Sequence, residues 1–263
     1  MKNGAMQDRV ILITGATSGI GRETALQCAA QGARVVACGR RAEQGQRLLE
    51  EIHDLGGQGQ FFTADVTDES QVKALLEHTI VSFGRLDYAF NNAGVFAAEA
   101  PLHEQEQAEW NTILAVNLNA VYCCMKHEVA TMLRSRSSGD TRMQVIVNNA
   151  STVGHRGSGS SGPAYTAAKH GVIGLTRQVA LSYLQENIRV NAVCPGPTLT
   201  EATAHIMEQP QVARDNLLAS LNPTGELVPA AEIARAVIFL CSDSASMING
   251  HALPVDGGQL TKL

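Results

Sequence analysis

At 263 residues, with 44% hydrophobic and 17% charged side chains, the chain has enough apolar material to build one large α/β core and too much for a disordered segment. A formal net charge of −5, with no Lys/Arg cluster interleaved with aromatics, argues against a nucleic-acid partner. The opening MKNGAMQDRV lacks the apolar run of a signal peptide and no later stretch has the length to cross a bilayer, so a cytoplasmic protein without a membrane partner is expected. Six cysteines (Cys28, Cys38, Cys123, Cys124, Cys194, Cys241) show no CxxC pair or metal-ligand spacing and mostly sit in apolar runs; reduced core thiols and no bound metal are expected.

In chain order, residues 9–14 form a short, β-branched, almost wholly apolar run, as a strand buried on both faces of a parallel sheet requires. Strand-like runs recur at 33–38, 60–63, 86–90, 143–147 and 188–193, and helix-like stretches lie at 42–55, 69–83, 107–134 and 163–186. A last helix at 230–240 precedes a short strand at 252–255, while 92–106 and the proline-bearing 197–227 are less regular. Alternation of this kind gives right-handed βαβ crossovers and a doubly wound α/β sheet, helices on both faces, in which ligands bind beyond the carboxyl ends of the strands.

The strand ends carry the motifs. After the first comes Thr14-Gly15-Ala16-Thr17-Ser18-Gly19-Ile20-Gly21, running into a helix: the glycines permit a tight turn, and the helix N-terminus offers free N–H groups to a dinucleotide pyrophosphate. The second ends at Gly39-Arg40-Arg41. An NAD site commonly places a carboxylate where Gly39 stands; its absence leaves room for a 2′-phosphate, which Arg40 can grip through two hydrogen bonds, pointing to NADP(H) over NAD. The alternative is that both arginines merely begin a solvated helix. Asp65, after the third strand, can accept a hydrogen bond from an adenine amino group, and Asn91-Asn92-Ala93-Gly94 ends the fourth with residues small enough to approach a cofactor; both are also ordinary turn formers.

Tyr165 and Lys169 are four apart in a helix-like segment and share a face. An ammonium group beside a phenol, together with oxidised nicotinamide, favours the phenolate and so predicts a Tyr165 usable as acid and base near neutrality. Ser151, fourteen positions upstream at the end of the fifth strand, is placed to hold a substrate oxygen, and Asn117 is an amide in an otherwise apolar helix stretch, where it needs a partner.

Taken together, TGATSGIG, NNAG, Asn117, Ser151 and YTAAK resemble the fingerprint of the short-chain dehydrogenase/reductase family, and the resemblance runs from about residue 8 to the end, through Arg189–Gly196 and the closing Pro254–Gly258. It implies a seven-stranded sheet in a single Rossmann-type NAD(P)-binding domain over 1–263, with a small substrate loop at about 197–227, and a homotetramer. It also implies a catalytic tetrad of Asn117, Ser151, Tyr165 and Lys169. Gly15, Thr17, Ser18, Gly19, Ile20 and Gly21 would then meet the phosphates, Asp65 and Val66 the adenine, Asn92 a ribose, Lys169 the nicotinamide ribose, and Thr198 and Thr200 the carboxamide. Two departures stand out: Ser18 occupies a place where many NADP-dependent members carry a basic residue, and Ser151 lies one residue further from Tyr165 than is usual. The second departure leaves Thr152 as an alternative hydroxyl; Ala-Ser-Thr-Val-Gly, with Gly154 in register, favours Ser151.

The expected activity is interconversion of a small ketone and a secondary alcohol, NADPH preferred and NAD possible, with Lys169 and a water held by Asn117 resupplying the proton. His155, the Gly/Ser loop at 157–162, Met207, Leu217 and Leu218 are candidates for the pocket border, His155 being readable also as a plain loop histidine, and their mixture points to a modest apolar substrate. Competing readings are a nucleotide-sensing scaffold without chemistry and a sugar-nucleotide epimerase or dehydratase, the latter needing a larger C-terminal portion.

Overall fold

The computed structural model describes residues 6–96, 101–157 and 161–262. Seven strands form one sheet: β1 (Val10–Thr14), β2 (Arg34–Gly39), β3 (Gln58–Thr63), β4 (Tyr88–Asn91), β5 (Gln144–Asn149), β6 (Ile188–Pro195) and β9 (Ala252–Val255). Their order is β3-β2-β1-β4-β5-β6-β9 and every neighbouring pair is parallel, so the expected doubly wound sheet is what the chain forms. The winding reverses between β1 and β4, which places the ligand crevice there.

Burial on both faces explains the near-continuous apolar strands. Ile11 and Ile13 of β1 point to one core, beneath α1 (Gly19–Ala30), α2 (Ala42–Asp54) and α8 (Ala230–Cys241); Leu12 points to the other, beneath α3 (Glu69–Phe83), α5 (Ala120–Ser137) and α6 (Pro163–Tyr183). Val35 and Val36 on β2, and Val145 and Ile146 on β5, divide in the same way. Asp68 starts α3 by accepting from the N–H groups of Ser70 and Gln71, and Gly84, at φ +75°, ends it in the left-handed conformation that glycine adopts without cost. Five of the six cysteines are buried and all six are free thiols. Among the described residues no helix is long and apolar enough to cross a membrane.

One expected element divides. The stretch read as a single helix over 107–134 is α4 (Gln107–Leu114), a π-helical turn (Ala115–Asn119) and α5. Asn117 sits in that turn, fully buried: its Nδ2 donates to the carbonyls of Val95 (2.9 Å) and Ile113 (3.1 Å), and its Oδ1 accepts from the N–H of Val95 (3.2 Å). The amide therefore pairs with a neighbouring backbone as another peptide would, and the helix widens to allow it.

Beyond β6, a two-residue parallel ladder joins β7 (Thr198–Leu199) to β8 (Val228–Pro229) and closes the base of the irregular insertion. The insertion carries a 3₁₀ turn (Ala204–Ile206) and an α-helix, α7 (Gln211–Leu221).

Candidate active site

The turn after β1 is built for close approach. Gly15 and Gly19 have φ +64° and +51°, and a Cβ on Gly21 would lie 2.3 Å from the Gly15 carbonyl oxygen. Asn92, just past β4, clamps the turn across the crevice: its Nδ2 donates to the carbonyls of Thr14 and Gly15 (3.1 Å each), and its Oδ1 accepts from Asn149 (2.9 Å). Thr14 Oγ1 returns the tie by accepting from the N–H groups of Asn92 (3.0 Å) and Ala93 (3.1 Å). Ser18 enters α1 in extended conformation without turning its hydroxyl onto the first-turn N–H groups, and that turn holds no acidic residue. The helix thus offers uncapped donors and the positive end of its dipole over a floor that any Cβ at Gly21 would fill, which fits a dinucleotide pyrophosphate.

At the outer rim, Arg40 is largely exposed, its guanidinium 3.9 Å from Asp65 Oδ2, while Asp65 Oδ1 accepts from Thr67 N (2.9 Å) and Oγ1 (2.7 Å). Those two bonds hold the Asp65 carboxyl below the usual carboxylate range. Val66 is buried in the core beneath, and Ile20 packs against the opposite core. A Cβ on Gly39 would lie 2.9 Å from Thr17 Cγ2, so glycine is also demanded there by the packing of the turn.

On the other side of β4, four side chains converge. Tyr165 (9% exposed) and Lys169 (4%) lie on the buried face of α6, with Lys169 Nζ 5.4 Å from the Tyr165 ring centre and donating to the Asn149 carbonyl at 2.7 Å. The Tyr165 hydroxyl shares a hydrogen bond with Ser151, while Thr152 is buried in the 3₁₀ turn beyond; the geometry takes Ser151, not Thr152, as the neighbouring hydroxyl. Gly154 makes this possible, since a Cβ there would lie 2.8 Å from both the Lys169 carbonyl oxygen and Ile173 Cδ1. Gly94 brings in Asn117: a Cβ on it would stand 2.9 Å from Asn117 Oδ1 and 3.9 Å from Lys169 Nζ. Phe96, 70% exposed, faces the Tyr165 ring at 5.4 Å between centres, and Val95, Trp110 and Val153 continue an apolar wall around Tyr165.

The insertion reaches back to the cofactor side. Thr198 Oγ1 donates to the Gly196 carbonyl (2.8 Å), and Thr203 Oγ1 donates to Thr198 O (2.6 Å) and accepts from Thr200 N (2.9 Å). Thr200 lies against the glycine turn, 3.0 Å from where a Gly19 Cβ would be.

A family model described as enoyl-(acyl carrier protein) reductase matches residues 15–259. The chain belongs to the short-chain dehydrogenase/reductase family. Levodione reductase of Leifsonia aquatica is 38% identical to it, over 96% of this chain and 94% of that one, and a solved levodione reductase structure superposes with a TM-score of 0.90, at 35% identity over 98% of this chain and all of the other. Cyclohexanol dehydrogenase of Acinetobacter sp. is 39% identical over 97% and 96% of the two chains. A variant of actinorhodin polyketide ketoreductase, crystallised with NADPH, has a TM-score of 0.88 at 33% identity, over 95% and 97%. This chain is therefore an NAD(P)-dependent short-chain dehydrogenase/reductase, an oxidoreductase.

Several details of this short-chain dehydrogenase/reductase depart from the sequence reading. Burial pushes the Tyr165 hydroxyl up to about 12, against a smaller lowering by Ser151, and pushes Lys169 down to about 8. In the chain alone, without the nicotinamide charge the expectation invoked, desolvation dominates and Tyr165 stays on the phenol side. The Asn92 side chain is used wholly within the protein; both Nδ2 hydrogens of Asn117 are likewise committed, so a water there would have to meet an oxygen. His155 bonds to the backbone of Ala252 and is held below the usual histidine range by burial, an ordinary loop role. Leu218 is buried, Leu217 half-buried and Met207 partly exposed, so of the three Leu218 is packed inward. Residues 158–160 of the Gly/Ser loop lie outside the described residues.

Two residues were missed. Arg41 folds over the glycine turn, donating from Nη2 to Thr17 Oγ1 (2.9 Å) and Ser18 Oγ (2.7 Å); its guanidinium supplies positive charge at Ser18, where a basic side chain was noted as lacking. Phe96 follows the NNAG motif closely, and a bulky aromatic two residues past a cofactor-facing turn was the available signal.

Proposed function

We propose that the chain reduces a neutral, apolar, cyclic ketone to the secondary alcohol and oxidises the alcohol in reverse, with NADPH preferred over NADH. The observation that carries this reading is the hydrogen-bonded Tyr165–Ser151 pair, set above Lys169 at the carboxyl edge of the sheet and beside the uncapped start of α1. Bound reduced nicotinamide supplies the hydride for the carbonyl carbon. Gly15, Thr17, Ser18, Gly19, Ile20 and Gly21 hold its phosphates, Arg40 the 2′-phosphate, Asp65 and Val66 the adenine, Asn92 a ribose by its backbone, and Thr198 and Thr200 the carboxamide. Ser151 orients the carbonyl oxygen and Tyr165 donates a proton to it. A phenol with its pKa at about 12 is fully protonated at neutral pH, as a donor must be. Lys169, near 8, returns a proton to Tyr165, and Asn117 fixes the backbone around Gly94 and Val95.

The apolar wall of Val95, Phe96, Trp110 and Val153 supports a neutral alicyclic substrate, as do relatives named for levodione and cyclohexanol. Gly39 beside Arg40 supports NADPH, with NADH as the weaker cofactor. A single domain, a homotetramer and a cytoplasmic location complete the proposal. Tyr165→Phe tests it: with cyclohexanone and substituted cyclohexanones as probes, turnover should fall by about 10³-fold, as loss of a general acid does, while NADPH binding followed by nucleotide fluorescence stays within about twofold. Turnover surviving in that variant would remove Tyr165 as the acid.

A further inference from the structure

The insertion helix α7 is weakly anchored by its own side chains: of its eleven residues, only Leu218 is buried. Its last carbonyls need partners from elsewhere. They find one in Lys262, whose Nζ donates to Ala219 O (2.8 Å) and Ser220 O (3.4 Å), a cation at the negative end of the helix. Gly257, at φ +59°, packs so closely on Asn222, just past the helix, that a Cβ on it would lie 2.7 Å from that side chain.

The segment bearing Lys262 is itself pinned. Asp256 accepts from the N–H groups of Gly258 and Leu260 (2.9 Å each), folding the chain into a 3₁₀ turn over Gln259–Thr261. Arg156 then grips the carbonyl end of that turn, donating from Nη1 to Lys262 O (2.9 Å) and from Nη2 to Gln259 O (3.0 Å). Arg156 lies two residues past Gly154, on the loop that begins at Ser151. An unbroken run of contacts therefore joins the Ser151 loop to α7 through residues 256–262.

We infer that residues 256–262 are a strap that sets the position of α7 relative to Ser151 and Tyr165, and that Arg156 and Lys262 are positioning residues for the substrate half of the site. They take no part in holding the cofactor. The inference rests on the ketone-reducing reading only for its effect on KM; its structural half stands alone.

The experiment compares wild type with Arg156→Ala, Arg156→Lys, Lys262→Ala and the Arg156→Ala/Lys262→Ala double variant, using cyclohexanone and the substituted cyclohexanones as substrates and amide hydrogen exchange over 211–221 as a second readout. Each Ala variant should raise KM for the ketone about 5- to 20-fold with kcat within about threefold and NADPH binding unchanged, the scale of one or two lost hydrogen bonds to a charged group. Arg156→Lys, which keeps one donor, should recover part of the loss. The double variant should be little worse than the more severe single one, because both break the same connection. Exchange in 211–221 should quicken at least tenfold in Arg156→Ala although the two hydrogen bonds removed, to Gln259 and Lys262, lie outside α7. Unchanged exchange there, or weakened NADPH binding in step with KM, overturns the strap. If wild type reduces no ketone, the proposed activity fails while the exchange measurement still decides the strap.

Discussion

The two arginines after β2 are neighbours in sequence with different tasks. Arg40 extends into solvent with, among the described residues, Asp65 at 3.9 Å as its ion-pair partner; Arg41 is already bonded to Thr17 and Ser18. Arg40→Ala should weaken NADPH binding about 10- to 100-fold, the worth of charge-assisted hydrogen bonds to a phosphate, and leave NADH within about twofold. Arg41→Ala should weaken both nucleotides by a similar, smaller factor, since it loosens the turn they share. Titrating each variant with both nucleotides separates the two, and equal losses of NADH and NADPH in Arg40→Ala would count against the phosphate role. Lys169 carries a second prediction. With its pKa lowered to about 8 by burial, it loses its charge as pH rises through that value, so kcat/KM for ketone reduction should fall above about pH 8. A profile flat to pH 10 would exclude Lys169 as the proton source. Tyr165 and Lys169 were legible because four residues along a helix is a local spacing. Arg41 was not, since its long side chain folds back across more than twenty positions and no local rule encodes that.

At the scale of elements, the crevice is held open by side chains that tie one strand end to the next. Gly21→Ala should abolish nucleotide binding and destabilise the fold by about 1–3 kcal/mol, the range for overpacking, because its methyl would fall on the Gly15 carbonyl; a normal melting temperature with normal NADPH affinity would contradict this. Behind the crevice, Asn91 Nδ2 donates to Glu128 Oε2 and Asn148 Oδ1 (3.0 Å each), and Asn148 Nδ2 donates to Thr176 Oγ1 (2.9 Å), a buried chain linking β4 and β5 to α5 and α6. Burial raises Glu128 from 4.5 to about 7, against a smaller lowering by Asn91. The folded protein therefore holds a proton that the unfolded chain releases at lower pH. The stability this confers is complete below about pH 4.5 and is lost as pH rises through about 7, to an extent on the order of 3 kcal/mol. Glu128→Gln imitates the protonated acid, so its melting temperature should exceed that of wild type at pH 8 and match it near pH 5; parallel curves at both pH values would refute the assignment. Strands and helices were legible from period and length, with ends displaced by a few residues. The π turn was not, because weak helix formers such as Val116, Asn117 and Asn119 are common inside ordinary helices and nothing local says that the helix widens there.

For the molecule as a whole, the alternation of elements announced a parallel sheet, and the handedness of crossovers left few ways to wind it. The place of the site followed, since ligands gather where winding reverses. What sequence could not disclose is how the segments after β6 come together. Arg156 stands 106 positions before Lys262, and the two meet because β5, β6 and β9 lie side by side. Substituting Phe96 by Ala tests the substrate wall at this scale: KM for cyclic ketones should rise by about 5- to 30-fold, as befits one exposed aromatic contact, with kcat for a small acyclic ketone little altered. Equal effects on both substrates would assign Phe96 to supporting Tyr165 instead. The β7–β8 ladder has a further implication. Because two parallel residue pairs, Thr198 with Val228 and Leu199 with Pro229, fasten both ends of the insertion at one point, a change of length between Thr203 and α7 should cost little loop-closure entropy and leave the seven strands undisturbed.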